Sequence, residues 1–303
     1  MSVVEAAAAL KRGGLAVFPT ETVYGLGCDA ANPQAVARLY AAKGRPRFNP
    51  LIAHVPDLDT AETHARFDAR ARALAEAFWP GALTLVAPRR AGSTVAELAC
   101  AGLDTIALRA PSHPIARDLL AAFGGPLAAP SANRSGHVSP TMAQHAAEDL
   151  GDAVDYVLDG GPCALGLESS IVALTGAEAQ LLRPGSIPRA AIEAIIGPLA
   201  APPADRVAAP GMLESHYAPR ARLRLDVNEP KPGEIYLAFG APAPANGLTL
   251  SASGDLIEAA ANLYAHLRAL DAAGAETIAV APIPAHGLGE AIRDRLARAA
   301  APR

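Results

Sequence analysis

Three loops and three strand-end positions hold the polar side chains with which this chain could do chemistry. The first loop, Pro19-Thr20-Glu21-Thr22-Val23-Tyr24-Gly25-Leu26-Gly27, directly follows the apolar run LAVFPT. Open α/β sheets place ligands at the ends of strands, so two threonines and a glutamate there can hold a small polar substrate. A turn with threonine backbone caps accounts for the same residues. The second loop is Lys43-Gly44-Arg45-Pro46-Arg47-Phe48-Asn49-Pro50. A lysine point charge two residues from an arginine fork can grip a polyphosphate without a P-loop. The plainer reading, a basic helix end answering its dipole, is weakened by Gly44 and Pro46, which fix a loop beyond the helix. His54 follows on the next apolar run, where a lone histidine is more often structural. The third loop runs from Pro130-Ser131-Ala132-Asn133 to Ser139-Pro140-Thr141. Ser139 or Thr141 either caps the helix that follows, or that helix turns its first amides toward an anion. Arg109 ends TIALR, Glu168-Ser169-Ser170 opens SSIVALT, and Arg183 lies in Leu-Arg-Pro-Gly. Each arginine taken singly reads as a surface ion pair, and together they bring charge to strand ends that one pocket could collect.

The elements that must position these residues follow from periodicity. The 303 residues suggest two domains. Strands are expected at 15–20, 51–55, 83–88, 105–109, 126–130, 156–159, 169–175 and 179–184. Helices are expected at the start of the chain, over 33–43 with proline in the first turn, before Trp79, and near 114–123, 141–150 and 188–196. Many strands and fewer helices predict an α/β domain with a twisted mixed sheet over 1–197. Residues 198–222 are rich in proline and have linker composition. From 223 to 303, strands LRLDV, GEIYLAF, LTLS and TIAVAPI alternate with helices starting near Asp255 and in LGEAIRDRLARAA, a small Rossmann-like second domain.

Composition narrows the function. Hydrophobic residues make up 51% and charged residues 18%, enough for a large core, while aromatics are only 4%. The formal charge of −4 gives no basic excess for long-range nucleic-acid binding. Cys28, Cys100 and Cys163 are an odd number without paired spacing, which argues against a disulfide framework or zinc ribbon and for the cytosol. No apolar run is long enough for a membrane span, and the first residues do not read as a secretory signal. G-x-x-x-x-G-K-[ST], a strand-linked G-x-G-x-x-G, H-E-x-x-H and EF-hand patterns are absent. A nucleotide site must therefore be built another way.

In their order, FPTETVYGLG, KGRPRFNPLIAH, PGALT, TIALRAPSHP, PSANRSG…SPT, ESSIV and LRPGSI resemble the YrdC-like domain of threonylcarbamoyl-AMP synthases. PGMLESHYAP and GLGEAIRDRLARAA resemble the long form of that family, which carries a second domain. The resemblance implies synthesis of threonylcarbamoyl-AMP, pyrophosphate and water from L-threonine, bicarbonate and ATP, for a separate tRNA threonylcarbamoyltransferase machinery. It implies a core polar set of Lys43, Arg45, Ser131 and Asn133. It places Arg45, Asn49, Thr105, Asn133, Ser139, Thr141, Arg183, His216 and Tyr217 toward ATP. It places Thr22, His54, Arg109, Ser131 and Ser169 or Ser170 toward threonine, with Arg109 as the bidentate carboxylate partner. Magnesium is expected to be held by the triphosphate and water, not by a protein cage. Residues 198–222 are expected either to cover the nucleotide, with His216 and Tyr217 nearest it, or to serve as a passive tether. One departure is Leu213-Glu214-Ser215, where the family often has a basic and aromatic pair, which puts a phosphate-facing role for 213–215 in doubt. The alternatives are an RNA-binding module of the same fold without adenylating activity, and an enzyme that adenylates a different carbamate. Direct tRNA binding stays open.

Overall fold

The computed structural model describes residues 2–201, 209–210 and 215–302. Residues 202–208 and 211–214 of the expected cover, Leu213 and Glu214 among them, lie outside the described residues.

The first unit begins with helix α1 (Val3–Lys11), closed by a reciprocal capping box between Ser2 and Glu5. Strands β1 (Ala16–Phe18) and β2 (Gly25–Asp29) follow, then helix α2 (Pro33–Lys43), started by Asn32 and by proline in its first turn. Next come β3 (Ile52–His54), the short helix α3 (Leu58–His64), α4 (Ala69–Phe78), β4 (Leu83–Pro88), β5 (Thr105–Arg109), α5 (Pro114–Phe123) and β6 (Leu127–Ala128). Helix α6 (Ala143–Leu150), β7 (Tyr156–Val157), β8 (Ser170–Ala173), β9 (Gln180–Arg183) and α7 (Arg189–Ile196) complete the unit. The strands form one mixed nine-stranded sheet in the order β7-β1-β2-β6-β3-β5-β4-β8-β9. The expected twisted α/β sheet is therefore present, and its strands and helices lie within a few residues of where periodicity puts them.

The sequence reading left two elements out. Residues 25–29 read as loop because of their glycines, yet they form β2, paired antiparallel with β1 on one side and β6 on the other. Tertiary pairing on both edges overrides the weak local preference. Helix α3 has only seven residues, too few for a periodic signal, and is fixed by Asp57 capping Thr60 N.

Both sheet faces are covered along β1, because side chains alternate: Leu15 and Val17 join the larger core, while Ala16 and Phe18 pack with α1 and α5. On the central strands, one face carries a smaller apolar cluster of Ile52, Val86, Ala107, Ile171, Ala173 and Leu182, with Ala209 of the connecting segment laid over it. Ile52 of this cluster lines the site described below.

The second unit comprises β10 (Arg222–Arg224), β11 (Ile235–Ala238), β12 (Gly247–Thr249), α8 (Leu256–Ala272), β13 (Thr277–Val280) and α9 (Gly289–Ala300). Its four strands are all parallel in the order β10-β13-β11-β12. Val23, Val138 and Leu167 of the first unit are part of its core, so the two units share buried apolar surface. Arg268 on α8 adds a bridge to Asp149 on α6 at 2.8 Å and donates to the Val138 carbonyl. At Gly166, with φ +68°, an added Cβ would lie 2.5 Å from Ala261 Cα, so only glycine allows the loop this close to α8. No described helix is long and apolar enough to cross a membrane.

Candidate active site

Lys43 is the last residue of α2, and Gly44 ends the helix in the left-handed conformation, φ +59°. Beyond that turn Arg45 reaches forward along the loop. Its Nε donates to the Asn49 carbonyl at 3.1 Å, and its Nη2 donates to Asn49 Oδ1 at 2.7 Å and to the Pro50 carbonyl at 2.8 Å. Burial lowers the Arg45 guanidinium to about 10. Lys43 Nζ donates to the backbone carbonyls of Ser131 and Asn133, tying α2 to the third loop. Burial, with Arg45 as a like-charged neighbour, pushes its amine well below the usual lysine range. Ser131 Oγ donates to Asn133 Oδ1 at 2.5 Å, and Asn133 Nδ2 donates to the Arg134 and His137 carbonyls, which closes the loop on itself.

His54 and Arg109 are register partners at the ends of the parallel strands β3 and β5. Arg109 Nη2 donates to Glu21 Oε1 at 2.5 Å, Nη1 to Thr22 Oγ1 at 3.0 Å, and Nε to the Gly81 carbonyl at 3.2 Å. An arginine has about five N–H groups, so these three contacts leave one on each terminal nitrogen. Glu21 Oε2 accepts from Ser112 N at 3.0 Å. Burial works against the Glu21 charge, but the Arg109 guanidinium outweighs it and holds the carboxyl below its ordinary value. Burial beside Arg109 lowers His54 to about 3, so its ring is neutral at physiological pH.

Arg183, at the end of β9, donates to the Ser169 carbonyl and Oγ, and its Nη1 donates to the Pro210 carbonyl at 3.3 Å. Ser169 Oγ also shares a 2.7 Å hydrogen bond with Thr84 Oγ1. Ser170 turns the other way and donates to the Ile187 carbonyl at 2.6 Å. His216 and Tyr217 arrive from the connecting segment, their rings edge to face at 4.3 Å. Tyr217 has φ +61°, a conformation that costs a bulky residue about 1–3 kcal/mol and persists only when its surroundings impose it. Burial near Arg45 lowers His216 to about 3.

Thr22, Arg45, His54, Arg109, Ser131, Ser169, Arg183, His216 and Tyr217, all expected from the sequence, line one cavity of about 40 Å³, with Glu168 and Pro210. Lys43, Asn49 and Asn133 back it through the hydrogen bonds above. Thr105 stands apart from the cavity at the start of β5, paired with Pro88 of β4. Neither Ser139 nor Thr141 caps α6, whose first residue follows Met142 without a side-chain cap. Ser139 Oγ instead donates to Glu168 Oε1 at 2.6 Å, a carboxylate brought from the far end of the unit. Tyr24, crowded into the first loop, turns away to the Gly161 carbonyl and Asp159.

Glu168 is a functional candidate to which the sequence attached no role. It is buried, and burial alone would raise it, yet Arg295, Arg183 and the Ser139 hydroxyl hold it down to about 2. Its partner Arg295 lies 127 residues away on α9. One signal was available: Arg295 falls on the stripe of Ile292, Leu296 and Ala299 that α9 buries, where a charge needs a partner.

Arg45, Arg109 and Arg183 line the cavity with Lys43 behind it, against Glu21 and Glu168, each already committed to an arginine. Such a surface suits a substrate with several negative charges. Asn49 Nδ2, His54 Nδ1, Thr141 Oγ1 and His216 Nδ1 are buried with no hydrogen-bond partner among the described residues. Native proteins rarely leave such atoms unsatisfied, and His54 and His216, which line the cavity, mark a place there for polar ligand atoms. Among the described residues no group of three or more histidine, cysteine or acidic side chains could hold a metal. The three cysteines are free and buried.

Residues 8–185 match the family model described as "Telomere recombination", and residues 187–301 match the one described as "Threonylcarbamoyl-AMP synthase, C-terminal domain". The threonylcarbamoyl-AMP synthase of Pyrococcus abyssi is 40% identical, over 97% of this chain and 92% of its own length. That of Bacillus subtilis is 37% identical, over 98% of this chain and 92% of its own. The crystal structure of P. abyssi Sua5 complexed with L-threonine superposes with a TM-score of 0.91 at 37% identity, covering 98% of this chain and 94% of that one.

Proposed function

The chain belongs to the threonylcarbamoyl-AMP synthase family in its two-domain form, and from that membership we propose that it joins L-threonine, bicarbonate and ATP into threonylcarbamoyl-AMP, releasing pyrophosphate and water. The observation that carries the reading is one cavity lined by three arginines, Arg45, Arg109 and Arg183, and by two buried histidines, His54 and His216, whose Nδ1 atoms are unsatisfied. In the reaction, the threonine amine and bicarbonate give a carbamate and water. A carbamate oxygen then attacks the α-phosphorus of ATP, and pyrophosphate leaves with the electron pair of the broken P–O bond. No enzyme nucleophile is required, so the work is positioning and charge neutralisation.

The two N–H groups left on Arg109 form a fork for the threonine carboxylate, with Glu21 and Thr22 fixing its plane. His54, neutral, and Ser131 and Ser169 face the rest of the amino acid; Ser170, turned toward Ile187, does not. Arg45, Arg183 and Lys43 neutralise the phosphates, and Asn49, Thr105, Asn133, Ser139, Thr141, His216 and Tyr217 hold the nucleotide. Because both carboxylates at the cavity are paired with arginines, magnesium is held by the triphosphate and water, where it screens phosphate charge. Pro210, His216 and Tyr217 of the connecting segment lie over the cavity and shield the mixed anhydride from water. The same reading divides the chain into a catalytic domain over 1–197, a connecting cover over 198–222 and a Rossmann-like domain over 223–303. The product serves tRNA threonylcarbamoylation in the cytoplasm.

Incubating the protein with ATP, bicarbonate and each amino acid in turn, with products read by mass spectrometry, tests this. Threonine should give the adenylate and pyrophosphate. Product from another amino acid alone, or none, would refute the substrate assignment.

A further inference from the structure

We propose that Arg295, on the last helix of the second unit, is a positioning residue for the nucleotide: it fixes three segments of the site from behind. This rests on the ATP side of the site lying where the proposed function puts it. The guanidinium is 1% exposed. Its Nε donates to Glu168 Oε2 at 2.8 Å, and its Nη2 donates to the Pro184 carbonyl, next to Arg183, at 2.9 Å. Its remaining bond goes to Asp294 on its own helix. The guanidinium carbon lies 5.1 Å from the centre of the Tyr217 ring. One side chain thus holds the segment before β8, the segment after β9 and the connecting segment.

Tyr217 is itself placed against ATP, Pro184 adjoins Arg183, and Glu168 holds Ser139. Glu168, held by Arg295, accepts from Ser139 Oγ with its other oxygen and from Tyr264 Oη of α8 at 2.8 Å. Tyr264 stacks on Tyr217 at 5.8 Å, so Tyr217 is gripped by a cation on one contact and an aromatic ring on another. These contacts explain how Tyr217 keeps its left-handed backbone. His216 is tethered to the same helix through its own N–H, which donates to the Arg298 carbonyl at 3.2 Å.

Stability alone is a poor reason to keep such a pair. A buried ion pair often does no better than apolar residues of the same volume, although removing one partner is costly. That asymmetry separates positioning from simple structure. In the full-length chain, Arg295→Met leaves Glu168 buried without its main partner, whereas Arg295→Met with Glu168→Gln removes both charges and keeps a carbonyl acceptor for one of the Ser139 and Tyr264 hydroxyls and an amide donor for the other. Melting temperature, ATP affinity by titration calorimetry, and the KM values for ATP and threonine are measured for wild type and both variants. The single variant should melt lower and bind ATP roughly 10-fold or more weakly, with the threonine KM within about twofold. The double variant should regain most of the melting temperature but not the ATP affinity, because Tyr217 still lacks its cation. ATP affinity that is unchanged in the single variant, or that recovers in step with the melting temperature in the double, would overturn the proposal. Wild type that binds ATP but makes no threonine-dependent pyrophosphate would refute the proposed function instead.

Discussion

Arg109→Lys keeps the charge beside Glu21 but removes the planar fork. In the structure, Arg109 spends one N–H each on Glu21, Thr22 and Gly81, and one N–H remains on each terminal nitrogen. A lysine in that place still pairs with Glu21, so the buried carboxylate is not stranded. It cannot also offer two parallel donors to a substrate carboxylate. The loss is about one charge-assisted hydrogen bond, roughly 1.5–3 kcal/mol, or about 10- to 150-fold in affinity. Pyrophosphate release should therefore need that much more threonine at saturating ATP and bicarbonate, while the ATP requirement stays within a factor of about two. The assay varies each substrate in turn on purified protein whose melting temperature has been checked. An unchanged threonine requirement with a raised ATP requirement would refute the reasoning and move Arg109 to the nucleotide side.

Lys43→Ala and Arg45→Ala should each lower adenylate formation by about 10²–10³-fold, the usual loss for one preorganised donor to developing charge; product formation at the wild-type rate would remove them from the catalytic set. Gly166→Ala should lower the melting temperature measurably, because its Cβ has no room against Ala261 and its φ is positive; an unchanged melting curve would mean that the contact with α8 relaxes freely. Stability should also fall as pH drops from about 6.5 toward 3. His54 and His216, both held neutral with values near 3, leave the unfolded chain to take up protons that the folded chain does not. Each contributes a slope of about 1.4 kcal/mol per pH unit, seen as a declining denaturant midpoint; a flat profile over that window would show that the rings are protonated in the folded protein.

Sequence by itself determined the strands and helices whose apolar periodicity is long and whose ends carry local signals. Helix α2 starts at Pro33 and stops at Gly44 for reasons contained within a dozen residues, and β4 and β5 are apolar runs bounded by turns. The residues of the site were legible too, since Lys43, Arg45, Arg109 and Arg183 sit at element ends in ordered motifs. What local chemistry could not decide was pairing. Strand β2 exists because β1 and β6 flank it, not because Gly25-Leu26-Gly27 prefers to extend. Ser139 faces Glu168 instead of capping α6, and Ser169, not Ser170, faces the cavity, because a strand turns successive side chains to opposite sides. Arg295 looks like any charge on an amphipathic helix until the fold buries it 127 residues from its carboxylate. Burial sets the cost of an unpaired charge, and it depends on which distant segments meet; only the tertiary structure supplies that.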